Sequence, residues 1–172
     1  MKKILITILS YLILSVPSFA QEGWKLLQEG EKIGWIRHSI TTPSCCGDPE
    51  NLKINDRSTQ RNLGKEGIAQ SKKIDLKVLD QFERCRDTAK YAFGNYKDFP
   101  PLNSFFREGI GANATRQLQD IKSFIKNWNS SKNLILVTHQ VVISGSVNET
   151  VSSGEMVITD KNLKVLARIP TL

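Results

Sequence analysis

Short apolar runs of strand length alternate along this chain with stretches of helical spacing. That alternation limits the fold more than any other feature. Residues 30 to 37 form one such run, read as a buried strand, and residues 134 to 138 form another. Between them, helical patterns are expected over about Lys65 to Ile74 and about Arg84 to Phe93, the second ending near Gly94, with a short strand at Leu76 to Leu79. The clearest helix carries Leu118, Ile121, Ile125 and Trp128 at intervals of three and four residues, with Phe124 beside them. Met156–Thr159, a turn at Asp160–Asn162 and Leu163–Ile169 read as a β-hairpin. Strands interleaved with helices predict a layered α/β fold. At 172 residues the chain is expected to form one domain, over 21–172.

Residues 1–20 are set apart from that domain. Lys2-Lys3, the apolar stretch Ile4 to Val16 and the small-x-small site Ser18-Phe19-Ala20 have the form of a secretory signal peptide, with Gln21 as first mature residue. The apolar stretch is too short to span a bilayer, so no stable membrane span is expected once the leader is removed. An exported, periplasmic protein follows as the expectation. Losing two lysines and no acids lowers the net charge from +7 to +5, a modest bias towards anionic ligands. No basic stripe interleaved with stacking aromatics appears, which argues against nucleic acid as a partner.

The strand-like runs at 30 to 37 and 134 to 138 share one further property: each ends on one of the chain's two histidines, His38 and His139. In α/β proteins chemistry collects in loops beyond the carboxyl ends of strands. Arg37 precedes His38, and Arg84-Cys85-Arg86 opens a helix between the two. Two imidazoles with several guanidiniums in one crevice would suit a phosphate, which matches the bidentate guanidinium fork. Residues 41 to 57, rich in Gly, Pro and Asp, form a long loop of the kind that carries function. Cys45 or Cys46 could pair with Cys85 in an exported chain, which would tie that loop to the Arg84 segment and leave one thiol. A metal site using these cysteines and His38 is the rival reading, disfavoured because vicinal cysteines lack structural-zinc spacing.

These residues resemble a known family. Arg37-His38-Ser39-Ile40-Thr41 is similar to the Arg-His-Gly-x-Thr signature of the histidine phosphatase superfamily, the phosphoglycerate mutase-like proteins. The stretch Asp56–Leu63 with Gly64–Gln70 is similar to the segment that follows in that family, Arg84–Ala89 resembles its Arg-Ala-x-Gln-Thr-Ala, and Leu136–His139 resembles its second histidine motif. Ser153–Val157 is similar to a late segment of small exported members. The departures are Ser39 in place of Gly or Ala, Leu79–Glu83 in place of a Ser-Ser-Pro turn, and Gln140 where phytase-like members carry Asp.

The resemblance implies a three-layer α/β/α fold with a mostly parallel central sheet and no cap domain. It implies a phosphomonoesterase in which His38 is the nucleophile and forms a phosphohistidine, while Arg37, Arg84 and a protonated His139 surround the phosphoryl group. The other nitrogen of His38 should donate to a backbone carbonyl. Glu155 is the first candidate for proton donor, with Asp48 and Asp56 as alternatives. Thr41, Asn62 and Arg86 are candidate substrate contacts. No cofactor and no metal are called for. The expected partner is a small phosphorylated substrate, a sugar phosphate or a phosphorylated envelope glycan. The alternatives are a non-catalytic phosphate- or phosphosugar-binding protein of the same fold and, further off, a redox or metal-handling protein using the cysteines.

Overall fold

The computed structural model describes residues 19–44, 48–53, 56–73, 78–79, 83–106 and 112–170. In chain order its elements are α1 (Phe19–Glu29), β1 (Ile33–Arg37), β2 (Thr41–Thr42), β3 (Asn62–Leu63), α2 (Lys65–Ser71), β4 (Val78–Leu79), α3 (Glu83–Phe93), α4 (Ala112–Lys126), β5 (Leu134–Thr138), α5 (Gln140–Val147), β6 (Met156–Thr159) and β7 (Val165–Ile169). Single 3-10 turns lie at Arg57–Thr59 and Pro100–Leu102.

The main sheet has the order β4-β5-β1-β6-β7. Strands β4, β5 and β1 pair in parallel, β6 runs antiparallel to β1, and β7 runs antiparallel to β6. Four of the five strands therefore point the same way, as the resemblance implies. β1 and β5 are buried on both faces, which is why they read as near-continuous apolar runs and not as alternating ones. Their side chains still divide by parity. Ile36, Ile135, Val137, Met156 and Ile158 meet Leu27 of α1 and Cys85, Ala89, Ala92 and Phe93 of α3. On the opposite face Ile33, Trp35, Leu134, Leu136 and Val157 meet Ile121 and Ile125 of α4 and Val142 and Ile143 of α5. Two apolar interfaces on one sheet make three layers.

Three elements were outside the reading of the sequence: α1, the β2–β3 ribbon and α5. The expected helices over about 65–74, 84–93 and 118–128 correspond to α2, α3 and α4, and the predicted hairpin to β6–β7. In that hairpin the Asp160 carboxylate accepts from the backbone N–H groups of Asn162 and Lys164, both at 2.9 Å, which closes the turn.

Parallel pairing of β1 with β5 sets the site. Their register places Arg37 opposite Thr138, so both strands end at the same level. The backbone N–H of His38 donates to the Thr138 carbonyl at 3.0 Å. The next residue on each strand is a histidine, so the sheet itself delivers the two imidazoles side by side.

Candidate active site

His38 and His139 lie with ring centroids 5.3 Å apart and planes inclined by 64°. Both are buried. Together with Arg37, Asp48, Arg61, Arg84, Ser104, Phe106, Gln140 and Val141 they line a cavity of about 320 Å³.

Local structure fixes the first imidazole. Nδ1 of His38 lies 2.9 Å from the Ser39 carbonyl. A carbonyl only accepts, so Nδ1 carries the hydrogen and Nε2 keeps its lone pair. The loop holding that carbonyl is itself held. The Ser39 N–H donates to Thr88 Oγ1 at 3.0 Å, and the Ser39 and Ser71 hydroxyls are hydrogen-bonded at 2.8 Å, Ser71 Oγ giving its own hydrogen to the Gly67 carbonyl. Gln70 accepts from the Ile40 N–H at 3.1 Å and donates to the Ser153 carbonyl at 2.8 Å, clasping the His38 loop to the loop before β6. Gly67 lets α2 approach this closely: a Cβ there would collide with the Ile40 carbonyl oxygen. Ser39, a departure from the family pattern, thus has a place of its own, buried against Ser71.

Arg84 is almost fully buried at the start of α3, on the same stripe as Thr88 one turn later. Its two terminal nitrogens donate to the Asp48 carboxylate at 2.7 and 3.0 Å, and Nη2 also lies 3.1 Å from His139 Nδ1. A guanidinium only donates, so His139 Nδ1 accepts; its Nε2 lies 3.5 Å from Cys85 Sγ. Arg61 Nε reaches the same carboxylate at 3.4 Å. Arg37 Nη1 donates to the Val151 carbonyl at 2.9 Å, while its buried Nε meets no hydrogen-bond partner among the described residues. His139 caps α5, whose first two residues, Gln140 and Val141, also line the cavity, so the positive end of a helix faces it.

The charge pattern follows. Burial, then Arg84, drives the His38 pKa down to about 3, with Arg37 and Arg61 adding to the fall and the Ser39 carbonyl opposing it. His139 is likewise held well below its usual value by burial and by Arg84. Both imidazoles are thus pushed towards their neutral forms in the unliganded protein. Burial alone would raise the Asp48 carboxyl, but Arg84 and Arg61 outweigh it and hold the group below the usual carboxylate range. The Arg37 guanidinium is lowered by burial and by its two cationic neighbours.

Of the residues named from the sequence, His38, Arg37, Arg84 and His139 come together, and Asp48 joins them. Four others do not. Glu155 is turned away: its carboxylate accepts from Arg168 Nε at 2.9 Å and from the Ser152 N–H at 2.8 Å. Arg168 sits opposite Val157, on the sheet face that Glu155 also takes by alternation, and claims the carboxylate. Thr41, buried in β2, donates to the Pro43 carbonyl at 3.2 Å. Asn62 accepts from Arg57 at 3.2 Å and donates to the Gln60 carbonyl at 3.1 Å. Arg86 forms ion pairs with Glu83 at 2.9 Å and Asp98 at 2.8 Å on the outer face of α3. Asp56 is used as well, accepting from Ser58 N–H and Oγ at 3.1 and 2.6 Å. Cys45 and Cys46, and with them any pairing to buried Cys85, lie outside the described residues, as does the proposed leader up to residue 18. Arg61 was missed. It stands one residue before Asn62, and in an extended segment neighbours point to opposite sides, so the right segment was read one position out of phase.

No family model matches this sequence, and no curated protein is a significant relative. Solved structures do match. A phosphoglycerate mutase from Thermus thermophilus is 19% identical, with a TM-score of 0.61, over 81% of this chain and 98% of the other. A protein described as a candidate alpha-ribazole-5'-P phosphatase from Escherichia coli is 16% identical, with a TM-score of 0.61, over 80% of this chain and 95% of the other. At these identities the likeness speaks for the backbone arrangement alone, and by it the chain has a phosphoglycerate mutase-like fold.

Proposed function

We propose that the chain is an exported phosphomonoesterase that hydrolyses a small phosphate monoester through a phosphohistidine on His38, without a metal. The observation that carries this reading is the pairing of a neutral His38, its Nδ1–H committed to the Ser39 carbonyl, with a cavity edged by three guanidiniums. The names borne by the two structural neighbours agree with phosphoryl chemistry.

In the reading, Nε2 of His38 attacks phosphorus and the bond to the leaving oxygen breaks in line. Arg37, Arg61 and Arg84 and the N-terminus of α5 stabilise charge on the equatorial oxygens. Asp48, already on Arg84, is the proton donor in place of Glu155. Phosphoryl oxygens displace its carboxylate from Arg84 and put a dianion beside it, and both changes raise its pKa. It then takes up a proton and passes it to the leaving alkoxide. The resulting carboxylate accepts a proton from the water that attacks the phosphohistidine, releasing inorganic phosphate and restoring His38. The same dianion favours the protonated form of His139, which can then donate to the phosphoryl group.

The test is hydrolysis of p-nitrophenyl phosphate with and without chelator, repeated for His38→Ala. Activity should survive chelation and vanish in the variant, with an acid-labile phosphate trapped on His38 of the native protein. Arg84→Ala and His139→Ala should each lose at least about a hundredfold in kcat, as when one transition-state donor is removed. Activity that persists in His38→Ala, or that needs metal, overturns the mechanism. Phosphate binding without turnover would favour the non-catalytic alternative.

A further inference from the structure

A second concavity opens directly from the cationic cup. It has a volume of about 440 Å³, and among the described residues its wall is formed by Phe105, Phe106, Leu118, Val141 and Gly145 with two polar side chains, Gln140 and Ser144, which are hydrogen-bonded to each other and to the Glu149 carbonyl. Phe106, Val141 and Gln140 line both spaces, so the two are halves of one crevice, one cationic and one hydrocarbon. Phe106 is 70% exposed, an uncommon setting for a large aromatic ring at the lip of a charged cavity. Gly145, inside α5, keeps the floor open: a Cβ there would stand 3.1 Å from Leu118 Cδ1 and 3.5 Å from Phe105 Cζ. A sugar offers hydroxyls that such a wall cannot satisfy, and burying them unpaired is costly. A hydrocarbon gains by leaving water there.

We propose that this groove binds the alcohol portion of the substrate and that the preferred substrates are phosphate monoesters of hydrocarbon-rich alcohols, in place of the sugar phosphates expected from the sequence. The inference rests on the reading of the cup as a phosphate-ester site. The phosphoryl group sits among Arg37, Arg84 and His38, and the ester oxygen leads past Phe106 and Val141 into the groove.

A homologous series separates this from leaving-group chemistry, because the acidity of the alcohol hardly changes with chain length. Hydrolysis of ethyl, butyl, hexyl and octyl phosphate is compared with that of glucose 6-phosphate, and kcat/KM should climb by roughly two- to fourfold per methylene. In parallel, ethyl- and octylphosphonate, which carry no ester bond to break, are titrated into the same protein by calorimetry. Octylphosphonate should bind at least about tenfold more tightly, and Leu118→Asp should remove most of that margin while leaving ethylphosphonate affinity near its native value. Equal affinity for the two phosphonates, or no binding of either, overturns the groove proposal whatever the turnover. Length-dependent phosphonate binding with no hydrolysis of any ester would keep the groove and overturn the phosphatase reading. Flat kcat/KM across esters that are all hydrolysed would overturn the groove and keep the phosphatase.

Discussion

At the scale of single residues, Arg84 is shared. One guanidinium faces the Asp48 carboxylate and the His139 ring at once, and any incoming phosphoryl group must take over part of that hold. The leaving-group dependence of Asp48→Asn follows. A p-nitrophenolate departs without a proton, so this variant should keep p-nitrophenyl phosphate turnover within about tenfold, while alkyl phosphates, which need the proton, should fall by about a hundredfold or more. Comparable losses on both would remove Asp48 from the donor's role. The histidines also make stability depend on pH. With its folded pKa pushed down to about 3, His38 stays unprotonated where an unfolded chain, near 6.5, takes up a proton. Its contribution is therefore whole above about pH 6.5 and is lost as pH falls towards 3; His139 shifts the same way. Urea unfolding at pH 7 and pH 5 should differ by about 2 kcal/mol from His38, with His139 adding in the same direction, and His38→Ala should flatten the slope. Arg37, His38 and His139 were legible because motif and strand end coincide, and Arg84 because its motif opens a helix. Glu155 was not, since which way a carboxylate turns depends on Arg168, distant in sequence and adjacent only in the sheet.

At the scale of elements, legibility tracked amphipathicity. α4 shows its apolar stripe because only one side meets the core. α5 escaped notice because Val141, Val142 and Ile143 are β-branched, Gly145 interrupts, and the helix is packed against the sheet and α4 on more than one side. It begins where it does because β5 ends at Thr138 and His139 takes an extended conformation at the N-cap. The β2–β3 ribbon has two residues per strand, too few for any periodicity to register. α2 is short, and its value lies in how near it comes to the His38 loop. Gly67→Ala must push Ile40 and its carbonyl away, because backbone cannot yield as a flexible side chain can. A loss of about 1–3 kcal/mol in urea unfolding is expected, with a fall in turnover from the displaced Ser39 carbonyl. If stability drops and kcat stays at the native level, the loop does not depend on α2 for its position.

At the scale of the whole molecule, a layered α/β arrangement was readable from the alternation of runs, and its three layers were implied by the family resemblance. The strand order was not, because β6 joins β1 across the sequence span that holds every other strand but β7. Among the described residues no helix is long and apolar enough to cross a membrane. The proposed export signal belongs to this scale as well. Expressed whole, the protein should be recovered outside the cytoplasm with Gln21 at its amino terminus by mass spectrometry, and removal of residues 2–20 should retain it inside. An intact Met1 on the exported form would contradict the leader. One consequence follows from the side-by-side endings of β1 and β5. The spacing of the two imidazoles is a property of the rigid centre of the protein, whereas the walls that meet a ligand's outer portion come from peripheral segments. Divergence can therefore rewrite what the molecule accepts while the paired imidazoles stay put, and selection for a new specificity need never touch the middle strands.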